Sequence, residues 1–229
     1  VADHLNDEER LEAIKKWWQR NGMGLVLAVV LTLGGWYGWQ YWQDRRQGNA
    51  EESSYVYMAM LDAITLWEQD ASEENATAAV AHAETLKKLG KNSLYAIYGA
   101  MTLAKLAAAD GDYANAAAEL QWALEDSDDA SIQALIRLRL ANVEFARDNS
   151  DQALTLLNQT PPESFVALYE ELKGDILVAQ GKREDAGNAY KVALEKLKDT
   201  DTRAQALLEL KLNEVMPDAE TTAVGEDEA

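Results

Sequence analysis

The chain has 229 residues, with 40 Asp and Glu against 21 Lys and Arg, a net charge of −19, two His and no Cys. The missing cysteines exclude disulfides, thiolate catalysis and cysteine-based metal sites. His4 and His82 fall in separate regions, which argues against a His-pair metal site or a Ser–His pair on one domain. Residues 1–46 hold six basic and six acidic groups, so the remaining 15 basic and 34 acidic residues carry the whole −19 and disfavour nucleic acid as a partner.

Abundant Ala, Leu, Glu and Lys, with three Pro in the whole chain, predict an all-α protein. Residues 1–21 read as an amphipathic helix in the membrane interface. Leu11, Ile14, Trp17 and Trp18 share one face, and Asn6 with Glu9 three residues on suggests a capping box.

Residues 22–43 read as a single transmembrane helix. No Asp, Glu, Lys or Arg stands between Arg20 and Asp44, and such a run gives a helix of roughly 35 Å against a hydrocarbon core of about 30 Å. Trp17 and Trp18 precede it, and Trp36, Tyr37, Trp39, Tyr41 and Trp42 close it, so indoles serve as anchors at both interfaces. A cleaved signal peptide fits poorly, because bulky Trp36, Tyr37 and Trp39 follow the apolar core and the small pair Gly48 and Ala50 stands too far downstream. Arg10, Lys15, Lys16 and Arg20 precede the span, whereas only Arg45 and Arg46 follow it before Lys87. The positive-inside bias places the N-terminus in the cytoplasm and the rest across the membrane. Gly24, Ala28, Thr32 and Gly35 form a strip of small residues, and Gly34 with Gly38 adds a second close-approach pair for packing on another membrane helix.

Residues 44–214 read as a helical-repeat domain. A helix over 50–70 presents Tyr57, Met60, Leu61, Ile64 and Trp67 on its apolar side; its partner covers 76–89, with Gly90 at the C-cap. A repeat follows. Ala116, Ala153 and Ala186 are spaced by 37 and 33 residues. Twelve residues before each stands Ala104, Ala141 or Gly174, and four after stands Leu120, Leu157 or Tyr190. Ala123, Thr160 and Ala193 come seven after, and turns fall at Gly111, Asp148 and Gly181. This small–large lattice predicts a tetratricopeptide-repeat-like α-solenoid, in which small residues let paired helices approach and the large one fills the gap. The middle unit departs from it: it lacks the turn glycine, carries Thr160, and Pro161-Pro162 shortens its second helix. A last helix over 201–214 directs Ala204, Leu207, Leu208 and Leu212 toward the array, and 215–229 reads as an acidic disordered tail.

The first helix of each pair should line a concave groove. The lattice places Tyr98, Met101, Lys105, Leu135, Leu138, Asn142, Phe145, Leu168, Glu171 and Asp175 there, suited to apolar or extended segments of another protein. The rival reading is that the first or last helix folds into the groove and buries Leu135, Leu138 and Phe145 as core. Adjacent carboxylates such as Glu73-Glu74, Asp128-Asp129 and Glu170-Glu171 do not face each other on a helix. No phosphate loop, nucleophile elbow, zinc-protease or calcium-loop motif occurs. The expectation is a non-enzymatic protein without cofactor or metal.

The block LNDEERLEAIKKWWQRNG (Leu5–Gly22), the span ending in GWYGWQYWQ (Gly35–Gln43) and the repeat array together resemble the YfgM-like family, the ancillary subunits of the bacterial SecYEG translocon. The resemblance implies an inner-membrane protein with a cytoplasmic N-terminus and a periplasmic repeat domain. It also implies partnership with the SecYEG channel and the membrane-anchored periplasmic chaperone PpiD, with emerging polypeptide chains as clients. Two alternatives stay open: a membrane-anchored repeat adaptor for envelope assembly or cell division, and an envelope hydrolase on a helical scaffold.

Overall fold

A computed structural model describes the backbone of residues 2–88, 93–197 and 202–216, with the side chains at 2–10, 13–14, 25–27, 29 and 41–51 outside that description. Gly90 and residues 217–229 therefore lie outside the described residues. All regular structure described is helical. The chain divides between Glu52 and Ser53 into two units.

The first helix, α1, runs from Ala2 to Gln69 and enters both units. Its length corrects two expectations. Asn6 lies inside the helix rather than capping it, and no break separates the residues before Asp44 from those after Ala50. The physical reason is that no proline stands before Pro161, and glycines such as Gly48 cost a helix only about 1 kcal/mol each. In the first unit Trp17, Trp18, Leu31, Leu33, Trp36 and Trp39 are exposed. Among the described residues no helix is long and apolar enough to cross a membrane. The most apolar stretch of the expected span, Leu25, Val26, Leu27 and Val29, lies outside the described side chains.

In the second unit the end of α1 is followed by α2 (Glu73–Lys88), α3 (Leu94–Ala109), α4 (Tyr113–Asp126), α5 (Ala130–Ala146), α6 (Ser150–Leu157), α7 (Val166–Ala179), α8 (Arg183–Lys196) and α9 (Thr202–Val215). Met60 and Ala63 of α1 are buried against Ala79, Ala83 and Leu86 of α2, while Leu61 is 38% exposed and faces away. Helices α3 with α4, α5 with α6, and α7 with α8 make the three expected pairs.

The lattice explains their packing. Ala116, Ala153 and Ala186 are each 0% exposed, and Leu120, Leu157 and Tyr190 are each at most 4% exposed. The third pair exchanges sizes. A Cβ on Gly174 would fall 2.3 Å from the Tyr190 ring, so the glycine is what admits the larger side chain. Thr160 does not join the lattice: α6 ends at Leu157, before Pro161 and Pro162, and Thr160 is exposed.

All three hairpins turn in the same way. Gly111 (φ 79°), Asp148 (φ 62°) and Gly181 (φ 74°) adopt left-handed backbone. In each turn the next residue's N–H reaches back five positions: Asp112 to Ala107 O, Asn149 to Glu144 O and Lys182 to Leu177 O, all at 2.9 Å. The left-handed residue itself bonds to Ala108, Phe145 or Val178 O. This is the Schellman arrangement, which satisfies the last carbonyls of a helix. Asp148 adopts it without being glycine. The buried Glu144 carboxylate holds that turn, accepting from Arg147 Nη1 at 2.8 Å and Asn149 Nδ2 at 2.7 Å.

Helix α9 closes the array with Leu208 and Val215 buried against α7 and α8, and Leu212 half-buried beside them. Leu207, expected to face the array, is 48% exposed. Val215, assigned to the tail, belongs to the helix, and Met216 covers Gly187.

Candidate functional site

The first helices of successive pairs, α1, α3, α5, α7 and α9, meet along one face of the second unit. Three of their four junctions are tied by polar contacts. Between α1 and α3, Lys105 pairs with Glu68 and lies 5.7 Å from the Trp67 ring centroid, while Tyr57 packs on Tyr95 at 5.4 Å and on Tyr98 at 5.7 Å. Burial, with Tyr98 and Tyr95 adding to it, pushes the Tyr57 hydroxyl above its usual pKa. Between α5 and α7 the buried Tyr169 hydroxyl donates to Ala134 O at 2.9 Å.

Between α7 and α9, Lys211 Nζ donates to Glu171 Oε1 at 2.8 Å and to both Asp175 oxygens at 2.8 and 2.9 Å. The Tyr190 hydroxyl donates to the same Asp175 at 2.8 Å. Burial and then this carboxylate raise the Tyr190 pKa well above that of free tyrosine. For Lys211, burial pulls the pKa down, but the bonds to Asp175 and Glu171 outweigh it, and the net shift is upward.

The fourth junction, α3 with α5, shares an apolar core and has no such polar tie among the described residues. Between α3 and α5 lies a cavity of about 380 Å³ with an apolar floor of Met101, Leu120 and Val143 and a polar rim of Lys105, Arg139 and Asn142. Asn142 turns its amide back to Leu138 O on its own helix at 3.0 Å. No ion pair joins Arg139 to a carboxylate among the described residues. Burial draws the guanidinium's pKa down and the neighbouring Tyr98 opposes the change; arginine stays charged at neutral pH.

Lys105, Asn142 and Asp175 stand eleven residues before Ala116, Ala153 and Ala186, so they are one repeat position. At both ends that position carries a charge paired with the adjacent first helix. In the middle it carries a neutral amide that bonds to its own helix and, among the described residues, to no group on a neighbouring one.

The ten expected groove residues therefore separate. Met101, Lys105 and Asn142 converge on the cavity, although Met101 is only 3% exposed. Tyr98, Leu135, Leu138 and Phe145 are half-buried against the cores, Glu171 and Asp175 are engaged by Lys211, and Leu168 is exposed. Arg139 escapes the periodic reading. It stands fourteen residues before Ala153, where the first unit has Thr102 and the third the buried Leu172. With Thr, Arg and Leu at this position, the repeat itself gave no signal for it.

In the first unit a Cβ on Gly24, Gly34, Gly35 or Gly38 would meet nothing within 4 Å, and Ala28 is exposed beside them. Thr32 Oγ1 donates to Ala28 O at 2.7 Å, so its hydroxyl is satisfied within the helix. Trp17, Trp18, Trp36 and Trp39 are exposed, and Trp42 lies outside the described side chains.

No group of three or more His, Cys, Asp or Glu suited to a metal ion occurs among the described residues. Stacked helix pairs of this kind define an α-helical repeat scaffold. Residues 15–216 match the family model described as a tetratricopeptide repeat-like domain. The chain is 30% identical, over 93% of its own length and 99% of the relative's, to an ancillary SecYEG translocon subunit of Haemophilus influenzae. Proteins of the same name from Escherichia coli and Neisseria gonorrhoeae are 27% and 29% identical, over 91% and 93% of this chain and 96% and 99% of theirs. The chain belongs to the tetratricopeptide repeat-like family that contains these ancillary SecYEG translocon subunits, the family its N-terminal block and repeats resemble.

Proposed function

We propose that this protein is a membrane-anchored, non-enzymatic ancillary subunit of the Sec translocon. The observation that carries this is its similarity to translocon subunits over nearly the full length of both chains. The uncharged run between Arg20 and Asp44, with tryptophans at both ends, supports anchoring in the inner membrane. The excess of Lys and Arg before the run supports a cytoplasmic N-terminus and a periplasmic repeat domain. Tethering raises the effective concentration of the scaffold at the channel exit, so a weak grip on each partner suffices. The strip of Gly24, Ala28, Thr32 and Gly35, with Gly34 and Gly38, packs against a membrane partner, and Trp17, Trp18, Trp36, Trp39 and Trp42 set its depth. The first-helix face takes the chaperone PpiD or a chain emerging from the channel.

The test is affinity purification of the full chain from membranes in mild detergent. SecYEG subunits and PpiD are expected in the eluate, and membranes washed in carbonate are expected to retain the chain. Recovery of division or envelope-assembly proteins in place of translocon subunits would overturn the assignment. Release by carbonate would remove the anchor.

A further inference from the structure

The last helix of a repeat array has no neighbour beyond it, and its outer face is polar where the array ends in solvent. Helix α9 departs from that rule. Leu208 and Val215 bury one face against α7 and α8, while Leu207 and Leu210 stand 48% and 66% exposed on another. Arg203 and Glu214, both exposed, continue the same stripe. The four residues are separated by four, three and four positions, the spacing of a heptad seam along one side of a helix.

The order along this seam is cation, leucine, leucine, anion. Arg203 and Glu214 lie equally far from its middle, between Leu208 and Glu209, and so do Leu207 and Leu210. Two α9 helices laid antiparallel about a two-fold axis set Leu207 of each copy against Leu210 of the other. The same axis sets Arg203 of each against Glu214 of the other. A parallel pair would stack Arg203 on Arg203 and Glu214 on Glu214, and like charges repel. No ion pair joins Arg203 or the Glu214 carboxylate to another group among the described residues. Arg183 donates to the main-chain carbonyl of Glu214, not to its carboxylate. The second-unit part of α1 also exposes Tyr55, Met58 and Leu66, but Asp62 stands among them. No basic residue occurs between Arg46 and Lys87 to meet that aspartate, so α1 lacks the self-complementarity of α9.

We infer that the exposed face of α9 is a self-association surface. A second copy of this chain docks on it antiparallel, through two leucine layers flanked by two Arg203–Glu214 ion pairs. Four layers span about 17 Å of helix, a contact smaller than the roughly 1,600 Å² of a standard stable interface, so the pair exchanges with monomer as concentration changes. The domain's negative charge opposes approach, but screening confines that repulsion to about 8 Å at physiological salt. At the contact, each Arg203 supplies the opposite sign. The inference does not depend on the translocon assignment.

The test uses the full chain purified in detergent. Sedimentation equilibrium is expected to show a reversible monomer–dimer equilibrium. Arg203→Glu and Glu214→Arg each put like charges in two layers, and each should weaken the dimer about ten-fold. The double variant restores opposite charges and should return to the original affinity, a recovery that neither misfolding nor pairing through residues 22–43 would produce. Leu210→Glu should leave monomer, with the urea midpoint unchanged because that side chain is exposed. The chain has no Cys, so introduced thiols report proximity directly. When Arg203→Cys and Glu214→Cys chains are mixed and oxidised, a disulfide between the two variants is expected and one between identical chains is not. Monomer alone at the highest soluble concentration, a dimer indifferent to Arg203→Glu or Leu210→Glu, or no recovery in the double variant would each overturn the inference. So would oligomers beyond the dimer, or equal crosslinking of identical and mixed chains.

Discussion

The α7–α9 and α3–α5 junctions start from the same repeat position and end differently. At α7–α9, Asp175 receives Lys211 and the Tyr190 hydroxyl, and Tyr190 in turn fills the space left by Gly174. At α3–α5, Asn142 satisfies itself on its own helix and a cavity remains. Within the pairs themselves the three hairpins turn alike. The two equivalent residues therefore differ in whether a charged partner on a neighbouring helix reaches them.

The largest effect is expected where the seal is tightest. Gly174→Ala drives a methyl into the Tyr190 ring and should cost about 3 kcal/mol in urea unfolding, at the upper end for overpacking. Adding Tyr190→Leu, the pairing used at Ala104 and Leu120, should recover more than half of that. Additive losses in the double variant would break the complementarity argument.

Lys211→Met comes next, at about 1–2 kcal/mol, because it leaves Glu171 and Asp175 facing each other half-buried without their cation. Asn142→Ala, the matching deletion at the α3–α5 junction, should stay within about 0.5 kcal/mol. Equal losses at the two positions would mean that the junctions do not differ.

Alkaline pH sharpens the contrast without mutation. Tyr190 and Lys211 both have pKa values raised by folding. Each therefore contributes stability that is complete below its unfolded-state pKa and is lost as pH rises through the folded value. Urea midpoints should fall from about pH 10 upward. In Lys211→Met the fall should be shallower. A midpoint that rises over that range would contradict the sign.

The smallest effect is a gain. Asp148 holds a left-handed backbone that glycine adopts at the two equivalent turns, so Asp148→Gly should stabilise by about 0.5–1 kcal/mol. No change would mean that Glu144 and its partners already offset the strain.

Much of the repeat was legible because small residues at crossing points are a steric requirement with a fixed period. Ala116, Ala153 and Ala186 could be placed from spacing alone, and Asp148 could be placed at a turn despite its side chain. The continuity of α1 was not legible, since the sequence showed two separate apolar stretches, at 22–43 and 50–70, and only the absence of proline argues for a single helix. At the site, periodicity identified Lys105, Asn142 and Asp175 as equivalent but could not tell which would find a partner on the next helix. That depends on Glu68 and Lys211, which lie outside the three repeats. Arg139 was hidden because its position holds Thr102 in the first unit and Leu172 in the third, which point to no common role. Tyr169 was missed as well: the groove assignment named its neighbour Leu168, which faces solvent, while Tyr169 is buried and bonds to Ala134.

The exchange of sizes at Gly174 and Tyr190 constrains how this array can drift. A lineage changing one member at a time must pass through a form that is either jammed or hollow, so the two positions have to be inherited as a unit. Anyone averaging the three repeats into a consensus would write alanine and leucine there, and would have to install both together or neither.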